Sequence, residues 1–321
     1  MTAVLEPVTR ELAREIAREM ARSRHRRGVP RLRLLFASSV GVALLAVTIG
    51  AQHGQVRGAA PSGMDPDRAA ALQSTLDGLR TSLHVPGLSL AIRLPDTTIW
   101  TAVSGQGEMA PHPPALTPNV AFSAGSIPKT VVGALVMQEV ERGVIRLDDP
   151  VSRWLPSYPN GATIRIDQLL SHTSGLYNYF NNPQYNALVF GRPTHKWTLA
   201  EILQLVRPPL AKPGVAYSYS NTNFILLGKI LRNATHQSLG ALIRSRLLTP
   251  LGLGHTAFQD IAPTLADSAQ GYLLNRGKWR SFSDGSGYRP NTSGATVAWA
   301  AGAILSTPSD LVRWTDRKSV V

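Results

Sequence analysis

The change of pattern at Asp65-Pro66 constrains the fold more than any other feature of the chain. Asp65 can cap a helix through its side-chain oxygen, and Pro66 suits a first helical position. Leu72, Leu76, Leu79 and Leu83 then recur at i, i+4, i+7 and i+11, a single apolar stripe. After Gly87 the period changes. Leu88, Leu90, Ile92 and Leu94 alternate with other residues, Pro95-Asp96 turns the chain, and residues 98–103 return as a second strand. A helix followed directly by an antiparallel hairpin argues against a doubly wound parallel sheet, in which strands and helices alternate.

From about residue 120 to 260 the pattern is mostly helical. The spacing predicts helices over 130–142, 199–206, 223–231 and 239–248, joined by Pro/Gly loops. Residues 272–274 and 279–282, split by Asn275-Arg276-Gly277, predict another hairpin, and Thr307-Pro308-Ser309-Asp310 starts a last helix. The expected fold is α+β, with an antiparallel sheet flanked by helices in one lobe and a mostly helical second lobe.

The net charge of +13 suggests nucleic acid until its distribution is read. Residues 1–33 hold nine Arg and four Glu, so +5 of it sits there, and the remainder is spread thinly over 288 residues. No nucleic-acid partner is expected. The absence of cysteine excludes a thiol nucleophile and thiolate metal sites. The histidines show no metal-ligand spacing, so no metal or other cofactor is expected. Residues 34–51 form an uncharged run behind Arg22, Arg24, Arg26, Arg27, Arg31 and Arg33. Eighteen apolar residues can just span a bilayer core, and the basic flank would stay cytoplasmic. The run reads as an uncleaved anchor or a long signal peptide, with a buried core helix as the alternative. On the first two readings the chain meets the cell membrane through 34–51, and everything after it is extracytoplasmic, or secreted if cleaved. The segments are then a basic cytoplasmic stretch (1–33), the membrane or signal segment (34–51), a linker (52–64) and a folded domain (65–315).

Ser126 and Lys129 stand three apart at a helix start, which brings a hydroxyl and an amine to one face. A serine hydroxyl is a weak nucleophile until a neighbour takes its proton, and a partly desolvated lysine can do so. Ser-x-x-Lys alone is expected by chance roughly 0.5 times in a chain of this composition. Tyr219 and Asn221 form a Tyr-x-Asn on a loop after Pro213-Gly214. A phenol there can move a proton if a cation lowers its pKa, and the amide can hold a substrate carbonyl. The alternative is a core tyrosine beside a helix-capping asparagine.

Phe122-Ser123-Ala124-Gly125-Ser126-Ile127-Pro128-Lys129 resembles the nucleophile motif of the serine β-lactamase and penicillin-binding family. Within it the likeness is to class C β-lactamases, D-Ala-D-Ala carboxypeptidases and related esterases. Leu169-Leu170-Ser171-His172-Thr173-Ser174-Gly175-Leu176, Tyr219-Ser220-Asn221 and Ala301-Gly302-Ala303 through Ser306-Thr307 continue the likeness in order, over about residues 67–315. The resemblance implies a β-lactamase/transpeptidase-like fold. It makes Ser126 the acylated nucleophile, Lys129 its activator, Tyr219 the proton shuttle and Asn221 a contact to the substrate amide. It also assigns half of an oxyanion hole to the Ser126 N–H, and treats His172-Thr173-Ser174-Gly175 as a structural turn.

One departure stands out. The family's third motif, Lys-Thr-Gly or His-x-Gly on a later strand, is not found in this chain. The domain is therefore read as C-terminally incomplete, residues 316–321 as a foreign tail, and the sheet holding the first hairpin as left with an open edge. The expected activity is a serine acyl hydrolase forming an acyl-enzyme on an ester or amide. A D-alanyl-D-alanine carboxypeptidase or β-lactamase of the cell envelope leads, acting on a cell-wall peptide, β-lactam or ester. A carboxylesterase, and a non-catalytic membrane-tethered binding module, are the alternatives.

Overall fold

The computed structural model describes residues 32–39, 42–49, 63–109, 113, 115–260, 265, 267–275 and 278–317. The basic segment 1–31, most of the linker and residues 318–321 lie outside the described residues. The chain divides into two compact units, one from residues 1–122, 267–280 and 306–320, the other from 123–266 and 281–305.

The first unit is built on a four-stranded sheet, ordered β1 (Leu32–Ser39), β2 (Val42–Ile49), β3 (Gly87–Arg93) and β4 (Ile99–Gly105). β3 and β4 are the expected antiparallel hairpin, with Leu90 opposite Ala102 and Ile92 opposite Trp100. Helix Pro66–Ser82 precedes them, capped by the Asp65 side chain, which accepts from the Arg68 N–H at 3.0 Å. Its buried Leu72 and Leu76 meet Leu88, Leu90, Ile92, Leu94 and Ala102 in one core. β3 is buried on both faces, Ser89 and Ala91 included, so strict alternation fails there. The reason is its central place: helix Pro66–Ser82 contacts it, and so does helix Pro308–Arg317.

Residues 34–51, read from sequence as an anchor or a signal segment with a core helix as the alternative, hold strands and not a helix over the described residues 32–39 and 42–49. Among the described residues no helix is long and apolar enough to cross a membrane. The β-branched Val42, Val47, Thr48 and Ile49 suit a strand better than a helix. β2 runs parallel to β3, Leu45 opposite Leu90 and Thr48 opposite Arg93, so it occupies the sheet edge expected to stay open. At the other end of the chain, Asp316 and Arg317 continue the last helix, and Asp316 pairs with Arg93 at 2.8 Å.

The second unit is mostly helical, as expected. Helices Pro128–Glu141, Ile166–Leu170, Tyr185–Gly191, Leu199–Gln204, Asn221–Thr235, Leu239–Ile243 and Thr292–Ala298 make up its bulk. Helix Asn221–Thr235 is its centre, with every residue from Asn221 to Gly228 buried. It packs on Pro128–Glu141, Ile166–Leu170 and the turn Trp299–Ala301. Gly228 permits the last contact: a Cβ there would stand 2.6 Å from the Ala300 Cβ. Strand Ile304–Ser306 pairs antiparallel with Ala257–Phe258 beside these helices. Buried Glu139 is held by Arg142 at 2.9 Å and by Arg246, which fastens the far end of the Pro128–Glu141 helix.

Candidate active site

Ser126 lies in the turn that leads into helix Pro128–Glu141, and Lys129 is the second residue of that helix. Pro128 opens the helix where its missing N–H costs nothing. Gly125, at φ +56°, supplies the left-handed step before the serine. Gly302 lies close behind, since a Cβ on it would approach the Gly125 carbonyl oxygen to 2.9 Å.

Lys129 Nζ is 3.0 Å from Ser126 Oγ and 2.6 Å from the Ala301 carbonyl oxygen, to which it donates. The lysine is only 6% exposed, and among the described residues no carboxylate pairs with it. Burial therefore pulls its pKa from 10.5 down to about 7. Near neutral pH much of the amine is uncharged. A neutral amine can donate to Ala301 and still accept the Ser126 proton.

Tyr219 reaches the same atom from the segment before helix Asn221–Thr235. Its hydroxyl donates to Ser126 Oγ at 2.8 Å. The side chain is 40% exposed, so the reading of Tyr219 as a core residue is set aside. Partial burial pushes its pKa up, the Ser126 hydrogen bond pulls the other way, and the Tyr217 phenol adds a smaller upward push. The expected lowering by a nearby cation is thus not what the free site has, although Lys129 Nζ sits 5.2 Å from the tyrosine ring centre. In this state Tyr219 holds its proton, and the unprotonated partner of Ser126 is Lys129.

Asn221 is buried at the first turn of its helix, and Ser220 takes the capping position. Its backbone N–H and its Nδ2 both donate to Asn178 Oδ1, at 3.2 and 3.1 Å. Its side-chain oxygen Oδ1 has no hydrogen-bond partner among the described residues. The Ser126 N–H likewise has no acceptor among the described residues, as an oxyanion donor requires.

Several contributors are illegible from spacing alone. The Ala301 carbonyl is backbone, signalled only by Gly302 beside it. Asn178 lies 43 positions from Asn221. His172, in the left-handed region at φ +58°, stacks on Tyr219 with ring centres 4.4 Å apart. Burial pulls its pKa down to about 4, and the Lys129 charge adds to that, so the imidazole is neutral near pH 7. Among the described residues no His, Asp and Glu side chains cluster to hold a metal ion.

The chain is 35% identical over 188 residues to penicillin-binding protein 4 of Amycolatopsis lactamdurans, covering 56% of this chain and 47% of that one. It is 31% identical over 196 residues to the teichoic acid D-alanine hydrolase of Staphylococcus aureus, covering 61% and 45%. The chain thus spans about half the length of the curated relatives it matches. Among solved structures, the D-amino acid amidase of Ochrobactrum anthropi aligns with a TM-score of 0.66 at 28% identity, covering 78% of this chain and 69% of that one. The fold is therefore β-lactamase/transpeptidase-like. The Beta-lactamase family model matches residues 72–321, a span that includes Ser126, Lys129 and Tyr219, and on that match the chain belongs to the beta-lactamase family.

Proposed function

We propose that this chain is a serine acyl hydrolase whose substrates carry a D-amino acid at the scissile ester or amide. The observation that supports it most is the convergence of Lys129 Nζ and Tyr219 OH on Ser126 Oγ, at 3.0 and 2.8 Å. Ser126 Oγ attacks the carbonyl carbon while its proton passes to Lys129 Nζ. The negative charge on the carbonyl oxygen is met by the Ser126 N–H. Collapse breaks the bond to the leaving group, which takes the proton of Tyr219, and the adjacent Lys129 ammonium stabilises the phenolate. Water then attacks the acyl-enzyme and gives a proton to Tyr219. Ser126 leaves with the proton held by Lys129, and the site returns to its first state.

The D-amino acid reading rests on relatives: a teichoic acid D-alanine hydrolase and a D-amino acid amidase share the likeness. A D-alanyl-D-alanine carboxypeptidase acting on cell-wall peptide is the finer form of this reading. The arginine-flanked run 34–51 supports an extracytoplasmic location from sequence alone, which fractionation with a tagged chain tests. The activity is tested with D- and L-phenylalanine amides, a D-alanyl-D-alanine peptide, nitrocefin and a p-nitrophenyl ester. Turnover of the D-amide above its L-enantiomer, lost in Ser126→Ala, is the expected result. Equal turnover of both enantiomers, or retention in Ser126→Ala, contradicts the reading.

A further inference from the structure

Building on the serine-hydrolase reading, we propose that His172 is a positioning residue that holds the Tyr219 hydroxyl on Ser126 by clamping the chain on both sides of that tyrosine. The clamp has three parts. The His172 carbonyl accepts the Ser218 N–H at 2.8 Å, one residue before Tyr219. His172 Nδ1 accepts the Ser220 N–H at 3.1 Å, one residue after it. The imidazole itself lies against the Tyr219 ring at 4.4 Å, with Phe224 at 5.4 Å and Tyr217 at 6.0 Å around it.

The orientation of the ring follows from its partners. A backbone N–H can only donate, so Nδ1 must be the unprotonated nitrogen and the ring proton must sit on Nε2. Asn223 Nδ2 donates to the same Nδ1 at 3.1 Å, and Asn223 Oδ1 in turn accepts from Ser174 Oγ at 2.7 Å. Ser174 and Asn223 are both buried, so the chain of bonds Ser174–Asn223–His172–Ser220 is shielded from water. Tyr219 is 40% exposed, and among the described residues its hydroxyl bonds only to Ser126, so little besides the His172 ring holds its side chain in place. The segment around it is anchored through His172 instead.

Because Tyr219 is the proton donor to the leaving group, the effect of His172 must depend on how much help that group needs. An amide nitrogen cannot leave without a proton, whereas a p-nitrophenolate can. The test compares kcat and KM on a D-phenylalanine amide with the burst rate of p-nitrophenolate release, which reads acylation alone, from a D-phenylalanine p-nitrophenyl ester, for the full chain. His172→Phe keeps a ring and removes the acceptor. It is expected to lose at least about tenfold in kcat on the amide, with KM little changed and less than about twofold lost in the burst rate on the ester. His172→Asn tolerates the positive φ and offers an acceptor near the place of Nδ1, so it recovers most of the amide activity. In a Tyr219→Phe background, His172→Phe adds no further loss on the amide.

Equal losses on both substrates, or losses additive with Tyr219→Phe, overturn the proposal and leave His172 a stability residue. Should His172→Phe not fold, His172→Asn decides: near-wild-type amide turnover supports the clamp, and a loss above tenfold that persists beside Tyr219→Phe overturns it. Failure of the underlying reading shows differently, as amide turnover that survives Ser126→Ala.

Discussion

Lys129→Met separates what the active site needs from what the fold prefers. The lysine is held almost out of water with no carboxylate beside it among the described residues, and burial moves its pKa from 10.5 to about 7. That displacement corresponds to about 5 kcal/mol against the folded chain once the unfolded chain is fully protonated. The sign follows from the two protonation curves. Above pH 10.5 both states hold a neutral amine and the penalty vanishes. As pH falls from 10.5 to 7 only the unfolded chain takes up the proton, so stability is lost across that window, and below about 7 the penalty is constant. Methionine keeps an unbranched apolar stem in the same space. It also leaves the Ala301 carbonyl without its donor, a cost of about 1–3 kcal/mol. A net gain of about 2 kcal/mol or more should remain at pH 7, read as a higher urea midpoint with unchanged slope. The gain should shrink as the pH is raised to 10, and acylation should be abolished. A Lys129→Met chain no more stable than wild type at pH 7, or equally displaced at pH 7 and 10, refutes the account of this lysine.

Tyr219→Phe should lower kcat on an amide by at least about 10² in steady-state assays while sparing the burst of p-nitrophenolate release from an activated ester, since that acylation step needs no proton on the leaving group. The rate of acylation should rise with pH through about 7, as the Lys129 amine loses its proton, and stopped-flow acylation of wild type reads this directly. Gly228→Ala places a methyl group 2.6 Å from the Ala300 Cβ and 3.0 Å from the Trp299 ring, so helix Asn221–Thr235 and the Ala301 carbonyl must move apart. Overpacking there should cost about 1–3 kcal/mol in denaturant melts despite the better helix propensity of alanine, with slower acylation alongside.

Local chemistry made the elements legible. Asp65-Pro66 marks a real helix start, the leucine stripe a real buried face, and the Pro95-Asp96 turn a real hairpin. Ser126, Lys129 and Tyr219 were legible as residue types in a familiar order, and they do converge on one oxygen. What escaped sequence reading lies in backbone atoms and in burial. A carbonyl such as Ala301 has no residue-type signature. The protonation of Lys129 and Tyr219 depends on desolvation, which spacing does not encode, and for Tyr219 the shift runs opposite to the direction a nearby cation would impose. Residues 34–51 are ambiguous in sequence for a related reason. An apolar run satisfies a bilayer and a sheet edge alike, and β2 meets β3 through backbone bonds that hydropathy does not report.

The most direct test of the central claim is to trap the acyl-enzyme and find the modified atom. The full chain is incubated with a β-lactam or a D-amino acid ester, quenched in acid, digested and read by mass spectrometry. The account predicts one adduct, on the peptide containing Ser126, absent in both Ser126→Ala and Lys129→Met. An adduct on another residue, or turnover undiminished in Ser126→Ala, would contradict it.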